Sequence, residues 1–250
     1  MEALPYLRQV EFRRKEVADL SAYPFCLPVV TGLQTLQFHP AVTFLVGENG
    51  SGKSTLIEAL ALVMGLNSEG GNRNTSFATE TTHSELWRYL KPVKSFKRPK
   101  DWYFLRAESF YNVASYMDSI MPAGMQGYGG KSLHRQSHGE SFMAVLAQKL
   151  HGGGLYLFDE PEAALSPTRQ LSALVEIHRL VQAQSQFIIA THSPILLSYP
   201  NAKILQIGPA GLQEVAYTDT EHYQVTRGFL NRHERMLEEL LGAGLEADES

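Results

Sequence analysis

A chain of 250 residues, of which 44% are hydrophobic, is long enough to bury a substantial core, so a disordered chain is not the default. The formal net charge of −4 gives no overall reason to expect a nucleic acid or an anionic membrane as partner, and any basic surface must be local. The single cysteine, Cys26, excludes an internal disulfide framework. With no N-terminal leader pattern and no long apolar run, we expect a cytosolic protein without a membrane span.

The predicted elements alternate between strands and helices along most of the chain. The stretch that ends at Pro40 alternates only weakly, and we expect it to form an antiparallel β edge. Helical patterns begin at Lys53, Glu140 and Pro167. Between them lie apolar, β-rich runs: AVTFLV, WYFLRA, GLYLFDE, QFIIATH and KILQIG. This order predicts an α/β fold with a mostly parallel sheet flanked by helices.

Composition shifts mark two segments within what we predict to be one domain, residues 1–250. Residues 66–100 pass from a polar, glycine-rich run to the basic run KPVKSFKRPK, which predicts an inserted arm. Residues 243–250 are acidic and lack apolar periodicity, which predicts a flexible tail. Cations from Lys91 to Lys100, with aromatic residues around them, could bind a nucleic acid. The acidic chain favours a solvated insertion or a surface for a partner protein instead.

The sequence GENGSGKST, residues 47–55, fits the phosphate-loop pattern GxxxxGK[ST] between a strand and a helix. Glycines let several backbone N–H groups point at one anion, Lys53 can reach the β- and γ-phosphates, and the Ser54 hydroxyl suits Mg²⁺. A glycine-rich turn without a ligand is the alternative, which the flanking elements disfavour. The predicted nucleotide-binding residues here are Gly47, Asn49, Gly50, Ser51, Gly52, Lys53, Ser54 and Thr55.

Two further motifs follow predicted strands. GLYLFDEPEAAL places Asp159 and Glu160 at the end of an apolar run, which suits a metal-linked carboxylate and one that orients or deprotonates water. Strand capping is the alternative for these carboxylates. His192 follows the next predicted strand, and ligands of open α/β sheets bind at strand ends. It is therefore a candidate to contact the γ-phosphate or the attacking water, with a structural or solvated histidine as the alternative.

These motifs resemble the heads of ABC-type ATPases, in the branch with stand-alone bacterial ATPases and the SMC, RecF-like and double-strand-break-repair heads. GENGSGKST resembles Walker A, LYLFDEPEAALS resembles Walker B with its D-loop, and ATHSP resembles the switch-histidine loop. The resemblance covers the chain from about Ala41 to His192. It implies an ATP hydrolase that uses ATP and Mg²⁺, with Lys53, Glu160 and His192 as catalytic residues. It also implies Ser54 and Asp159 as Mg²⁺ ligands.

The resemblance further implies a signature loop that contacts the γ-phosphate held by a second copy of the chain. QSHGE, residues 136–140, stands where the family has LSGGQ, with Gly139 twenty residues before Asp159. Ser137 and the Gly139 backbone would contribute an anion site across a head-to-tail homodimer. A carboxylate at Glu140 is unfavourable near a triphosphate unless it faces away or caps its own helix. A simple helix cap is therefore the alternative.

Two positions depart from the family pattern. Ser166 stands where the D-loop usually ends in aspartate. After the strand predicted at WYFLRA, the family has a glutamine that contacts Mg²⁺ and the attacking water. No glutamine follows WYFLRA here, and Glu108 is the nearest candidate metal ligand. A surface residue after a strand is the alternative for Glu108.

The same site admits two functions. The first is an ATP hydrolase that closes as a dimer around two Mg-ATP and drives or regulates a protein partner, in DNA repair or phage defence. The alternative is an ATP-gated switch with very slow hydrolysis that regulates an effector protein. Both bind ATP alike, so turnover separates them. Transport is disfavoured because the sequence shows no membrane segment.

Overall fold

Two sheets form the framework of the part of the chain that the structure describes. A computed structural model describes residues 5–68, 70–71, 84–108 and 138–242, apart from the side chain of His138. The strands are β1 (Leu7–Phe12), β2 (Thr35–Gln37), β3 (Val42–Val46), β4 (Leu90–Lys94), β5 (Asp101–Arg106), β6 (Gly154–Asp159), β7 (Gln186–Ala190), β8 (Lys203–Gly208) and β9 (Gly211–Val215). The helices are α1 (Lys53–Val63), α2 (His138–Ala144, continued by a π-helical turn at Val145–Lys149), α3 (Pro167–Gln182), α4 (Pro194–Leu197), α5 (Glu221–Asn231) and α6 (His233–Leu241).

The larger sheet has the strand order β5-β6-β7-β3-β8-β9, and only its last pair, β8 with β9, is antiparallel. This confirms the predicted α/β fold with a mostly parallel sheet. Strand β3, which leads into the phosphate loop, lies in the middle and is buried along its whole length. Because parallel strands end at one edge, the residues after β3, β6 and β7 all lie at that edge.

Both faces of this sheet are covered, and successive strand residues alternate between the two cores. Leu45 packs with α1 residues such as Leu56 and Leu60. Its neighbour Phe44 packs on the opposite face with Phe142 of α2 and residues of α3. Strands buried on both faces read as continuous apolar runs, and this explains why β3, β6 and β7 were recognisable in the sequence.

The smaller sheet is antiparallel, with the order β2-β1-β4. The expected antiparallel β edge at the N-terminus is therefore present, as a separate sheet. Its third strand, β4, comes from residues 66–100 and pairs with β1 from Leu7↔Lys94 to Phe12↔Leu90. The prediction of an inserted arm concerned this segment, and the structure gives its second half a place in the sheet. The arm's boundaries and the single-domain organisation stay predictions, and the predicted tail lies outside the described residues.

The side chain of Gln186 joins the two sheets. Its amide nitrogen donates hydrogen bonds to Leu7 O at 2.9 Å and His39 O at 3.0 Å, and its carbonyl oxygen accepts one from Leu7 N at 2.9 Å. The residue is fully buried. These bonds satisfy backbone groups of β1 and of the turn before β3, and they hold the small sheet against the start of β7.

Two cations of the basic run from Lys91 to Lys100 have contacts within the fold. Lys91 forms an ion pair with Glu11 across the sheet at 3.1 Å. The Lys97 ammonium donates to the Gln184 side chain at 3.3 Å and lies 5.8 Å from the centre of the Tyr6 ring. Among the nearby aromatic residues, Trp87, Tyr89 and Trp102 pack against the core and Tyr103 is buried, whereas Phe96 is 88% exposed. These contacts favour a structural segment over a stacking surface.

Candidate functional site

The phosphate loop has a backbone conformation that requires glycine at two positions. Gly50 and Gly52 have φ values of +78° and +96°, in the left-handed region that other residues avoid. A Cβ atom on Gly52 would lie 2.6 Å from Val29 Cγ1, and the Val29 N–H donates to Ser51 O at 3.1 Å. The segment before β2 therefore packs tightly against the loop and holds its shape.

The Lys53 side chain folds back into this loop. It is buried, and its ammonium donates hydrogen bonds to Gly47 O at 2.8 Å and Glu48 O at 3.0 Å. Burial lowers the pKa of Lys53, and the carboxylates of Glu160 and Asp159 oppose that shift. The cation is thus placed at the mouth of the loop, with acidic groups facing it.

Ser54 and Asp159 meet although they lie 105 positions apart in the chain. The Ser54 hydroxyl donates to Asp159 Oδ1 at 3.1 Å, because the phosphate loop leads from β3 into α1 at the sheet edge where β6 ends in Asp159. Burial raises the pKa of Asp159 to about 7, although Arg106 and the Ser54 hydroxyl act in the opposite direction. A hydroxyl and a carboxylate at this distance are suited to share one hard cation.

Arg106 contacts three carboxylates, although no sequence motif marked it as a site residue. Its Nη1 donates to Glu58 Oε2 at 2.8 Å, and its Nε lies 3.6 Å from Asp159 Oδ2 without a hydrogen-bond partner among the described residues. The predicted metal ligand Glu108 lies 3.5 Å from Arg106 Nη2, with its side chain 81% exposed. Glu108 thus lies at the expected sheet edge, paired with a guanidinium that also faces Asp159. The one available signal was a basic residue closing an apolar strand.

Glu160 and His192 also come together, 32 positions apart, because β6 and β7 are neighbours. His192 Nε2 lies 3.6 Å from Glu160 Oε1, and the Glu160 backbone N–H donates to Ala190 O at 2.9 Å. Glu160 has φ of +49°, a left-handed conformation that costs about 1 kcal/mol or more in a residue other than glycine. The turn into Pro161 therefore holds the Glu160 side chain in a specific direction.

Glu162 fixes the backbone that carries His192, a role that the sequence did not reveal. Its carboxylate accepts hydrogen bonds from the Thr191 hydroxyl at 2.7 Å and from the His192 backbone N–H at 2.5 Å. Burial raises the pKa of Glu162, and the two hydrogen bonds act against that shift. Because Glu162 follows Glu160 by two residues, the turn after β6 and the loop after β7 form one connected unit.

A second histidine, His222 at the start of α5, contacts the His192 ring. The distance from His192 Nδ1 to His222 Nε2 is 2.9 Å. Burial lowers the pKa of both imidazoles, the Lys53 ammonium lowers both further, and His192 also lowers the pKa of His222. No sequence motif marked His222, which lies 30 positions after His192.

Clefts of about 500 Å³, within the size range of small-molecule sites, lie beside the phosphate loop. One is lined by Glu48, Asn49, His192, Glu221, His222, Val225 and Thr226. Its neighbour shares Glu48 and Asn49 and extends along the loop to Pro28, Gly208 and Pro209. The first turn of α5 thus forms one wall of the space next to the loop.

The predicted signature loop is only partly described. Ser137 lies outside the described residues, and Gly139 is in the first turn of α2. A Cβ atom on Gly139 would lie 2.9 Å from Ala164 O, in the turn after β6, so packing alone already demands a glycine there. The Glu140 carboxylate lies 3.5 Å from Arg169 Nη2 on α3. The departure from the family glutamine is therefore accommodated by an ion pair with a helix of the same chain.

Ser166, the other departure from the family pattern, caps α3. Its hydroxyl accepts a hydrogen bond from the Arg169 backbone N–H at 3.4 Å, and Pro167 follows at the first helical position. Serine is among the preferred N-cap residues, and proline is favoured directly after the cap. The serine therefore has a structural use that aspartate would also meet.

The arrangement fits Mg-ATP. The loop combines left-handed glycines, a buried lysine ammonium and the Ser51 hydroxyl, which is buried without a hydrogen-bond partner among the described residues. Ser54 and Asp159 present two oxygens to one point, and Mg²⁺ is commonly held by one or two protein oxygens together with substrate phosphates. Within the described ranges, no group of three or more His, Cys, Asp or Glu side chains converges as a metal site of its own.

Two protein-family models match the chain. An AAA domain matches residues 26–101, which include the phosphate loop. A second model, described as an AAA domain, putative AbiEii toxin, type IV TA system, matches residues 141–198, which include Asp159, Glu160 and His192. Over these two segments the chain is similar to AAA-type domains, and together with the α/β fold and the site described above the matches support a P-loop ATPase, an enzyme that binds and hydrolyses ATP.

Solved structures that are similar to this chain have low sequence identity to it. The SMC head domain from Thermotoga maritima is 15% identical, with a TM-score of 0.43, over 84% of this chain and 98% of that one. A putative metal-chelate type ABC transporter in an inward-facing conformation is 17% identical, with a TM-score of 0.44, over 77% and 80% of the two chains. No curated protein sequence matches the chain. No helix among the described residues has the length and apolar character to cross a membrane.

Proposed function

We propose that this chain hydrolyses Mg-ATP at the sheet edge formed by the ends of β3, β6 and β7, and that it closes as a head-to-tail dimer around two nucleotides. One observation carries the proposal. The Ser54 hydroxyl bonds to Asp159 at 3.1 Å, next to a Glu160 carboxylate that lies 3.6 Å from His192. Three motifs distant in sequence thus supply a phosphate cradle, a cation site and a water-activating pair at one place.

In this proposal the loop residues bind and the strand-end residues react. The backbone N–H groups from Gly47 to Thr55 hold the phosphates, and the Lys53 ammonium neutralises charge on the β- and γ-phosphates. Mg²⁺ held by Ser54 and Asp159 would supply further neutralisation of the phosphate oxygens. Glu108 stays a candidate water-linked partner of this cation, through its position beside Arg106.

Glu160 is the proposed general base. Its carboxylate orients a water molecule and accepts its proton as the water oxygen bonds to the γ-phosphorus. The bond from the γ-phosphorus to the bridging oxygen breaks, and the products are ADP and phosphate. His192 donates a hydrogen bond from Nε2 towards the γ-phosphate or the attacking water. The short distance between Glu160 and His192 supports a joint action on the same water.

The dimer is proposed from the signature resemblance. Ser137 and the Gly139 backbone of one copy would contact the γ-phosphate bound in the loop of the other. Gly139 packs closely on the turn after β6, and that turn also carries Glu160. This contact supports a coupling between the signature loop and the catalytic carboxylate of the same copy. In this way ATP would bring two copies together, and hydrolysis would release them.

We further propose that the closed dimer acts on a protein partner in the cytosol. The description of the second family model names a toxin of a type IV toxin–antitoxin system, which supports a defence role over DNA repair. Nucleic acid is the less favoured partner, because Lys91 and Lys97 are engaged within the chain. In the alternative function, hydrolysis is very slow and the ATP-bound dimer itself regulates an effector.

The proposal is tested by the solution mass of the Glu160→Gln protein, measured by light scattering with and without ATP and Mg²⁺, beside the turnover rate of the wild type. We expect one chain without ATP, two chains with it, and measurable wild-type turnover. ATP-dependent pairing with almost no wild-type turnover would favour the switch. A mass that stays at one chain would contradict the dimer.

The Ser137→Arg variant tests the signature separately. We expect it to bind ATP as the wild type does, because the residue would contact only the nucleotide of the other copy. Pairing and turnover should both be lost, since the long cation would block closure. Wild-type turnover in Ser137→Arg would show that QSHGE is a local helix cap.

A further inference from the structure

We propose that His222, from the C-terminal part of the chain, is a positioning residue that sets the ring orientation and tautomer of His192. The proposal rests on the function proposed above for His192. The contact lies between α5 and the loop after β7 that carries His192, so α5 would be part of the catalytic site.

The geometry of the pair is direct. His222 Nε2 lies 2.9 Å from His192 Nδ1, and the ring centres are 5.1 Å apart at an interplanar angle of 55°. The opposite ring nitrogen, His192 Nε2, lies 3.6 Å from Glu160 Oε1 and has no hydrogen-bond partner among the described residues. One edge of the ring thus faces His222, and the other faces the proposed reaction site.

The two contacts together select one tautomer. A carboxylate facing Nε2 can only accept, so the neutral His192 ring is favoured with its proton on Nε2. Nδ1 then carries a lone pair, and His222 satisfies it by donating its Nε2–H. This leaves His192 with a donor that points at Glu160 and at the place of the γ-phosphate. A ring with the proton on Nδ1 would present a lone pair to a carboxylate and to phosphate oxygens.

His222 is itself held in place relative to the His192 loop. Thr220 is buried, and its hydroxyl caps α5 by accepting from Tyr223 N and donating to Tyr217 O. The Tyr217 hydroxyl donates to Pro194 O at 2.9 Å, two residues after His192. The start of α5 is therefore tied to the same loop that carries His192, and the distance between the two rings is set by hydrogen bonds on both sides.

The hydrogen bonds made by the loop itself fix the backbone of His192 but not the rotation of its imidazole ring. Glu162 holds the His192 backbone N–H and the Thr191 hydroxyl. Neither bond restrains the imidazole about its side-chain torsions. The contact with His222 supplies that restraint, and the lowered pKa values of both rings agree with a neutral pair that shares one bridging proton. The charged groups that act on the pair are Lys53, Glu160, Glu162 and Glu221.

The test compares two substitutions at one position. His222→Leu removes the donor, whereas His222→Gln keeps an amide N–H that can donate to His192 Nδ1. We expect His222→Leu to lower kcat by about tenfold or more while KM for ATP changes less than about threefold, because the misplaced ring affects the reaction more than binding. His222→Gln should recover most of that loss. The matched control is His178→Leu, at an exposed histidine that bonds to Tyr199 away from the site, and it should leave kcat unchanged.

The second readout is the ¹⁵N NMR spectrum of the His192 ring, assigned with a His192→Asn variant and recorded without nucleotide. We expect the proton on Nε2 in the wild type and in His222→Gln, and a mixture of tautomers in His222→Leu. An unchanged tautomer in His222→Leu, or equal loss of turnover in the leucine and glutamine variants, would overturn the positioning role. If His192→Asn keeps wild-type turnover, the proposed function of His192 fails, and the spectra still decide whether His222 sets its tautomer.

Discussion

At the scale of single residues, the site contains buried carboxylates whose ionisation lowers the stability of the folded state. Asp159 is buried and only partly compensated by Ser54 and by Arg106, whose Nε is 3.6 Å away. Glu162 is also buried, but its two hydrogen bonds serve the His192 loop. Such groups lower stability in exchange for a site that binds a cation, as is common at functional sites.

We therefore predict that Asp159→Asn stabilises the metal-free protein at alkaline pH. The folded pKa of Asp159, about 7, lies above its unfolded value, so the folded state binds more protons between pH 4 and 7. The contribution of Asp159 to stability is therefore greatest below pH 4 and falls as pH rises to 7. At pH 8 we expect the variant to be more stable by about 1–3 kcal/mol.

Urea denaturation at pH 4.5 and pH 8 in magnesium-free buffer measures this difference. The gap between variant and wild type should be larger at pH 8. The control is Asp219→Asn, because Asp219 is exposed and its substitution should change stability little. A gap for Asp159→Asn that does not depend on pH would contradict the assigned burial cost.

At the scale of elements, the contacts that hold the site are made by a few side chains between strands and helices. Gln186 joins β7 to β1 and to the turn before β3. Gly139 lets α2 approach the turn that follows β6. These contacts hold together a site edge whose residues come from separate segments of the chain.

Gln186→Leu should destabilise the protein by roughly 2–4 kcal/mol, because it leaves the Leu7 backbone N–H and carbonyl without partners in a buried place. Thermal and chemical denaturation measure the change. Gln182→Leu, at an exposed position on α3, should stay within about 0.5 kcal/mol of the wild type. Equal stability of both variants would mean that the small sheet is held by apolar packing alone.

Gly139→Ala and Gly228→Ala form a matched pair of helix substitutions. The Cβ added at residue 139 would lie 2.9 Å from Ala164 O, whereas at residue 228 it would have no heavy atom of the described residues within 4 Å. We expect a loss of about 1–3 kcal/mol for Gly139→Ala from overpacking and a gain of about 0.5–1 kcal/mol for Gly228→Ala from helix propensity. Unfolding midpoints measure both, and a gain at residue 139 would argue against the tight contact.

At the scale of the whole molecule, nucleotide binding should be visible as global stabilisation, because the loop is packed into the centre of the larger sheet. Wild type and Glu160→Gln should both melt at a higher temperature with ATP and Mg²⁺. At a hundredfold excess of ATP over Kd, binding should raise the free energy of unfolding by about 2.7 kcal/mol. Lys53→Ala should show no shift, since it lacks the buried ammonium. A full shift in Lys53→Ala would place the nucleotide elsewhere.

The local motifs were predictable because the function of each one depends on residues that are neighbours in the sequence. GENGSGKST needs its glycines for the turn and its lysine for phosphate, and the apolar runs before Asp159 and His192 needed only burial on two faces to become β6 and β7. The part of the chain from 66 to 100 was harder. Its polar and basic composition predicted an arm, whereas β4 forms through long-range pairing with β1, which composition does not encode.

By itself, the sequence determined the phosphate loop, the strand-end carboxylates and the five apolar strands with the helical patterns that begin at Lys53, Glu140 and Pro167, because these depend on neighbouring residues and on local periodicity. Only the tertiary structure decided that Arg106 faces Asp159, that Glu162 holds the His192 backbone and that His222 meets the His192 ring. Those contacts depend on strand order and on where α5 docks. Side chains many positions apart meet only once the sheet has formed, so their spacing in the sequence does not predict these contacts.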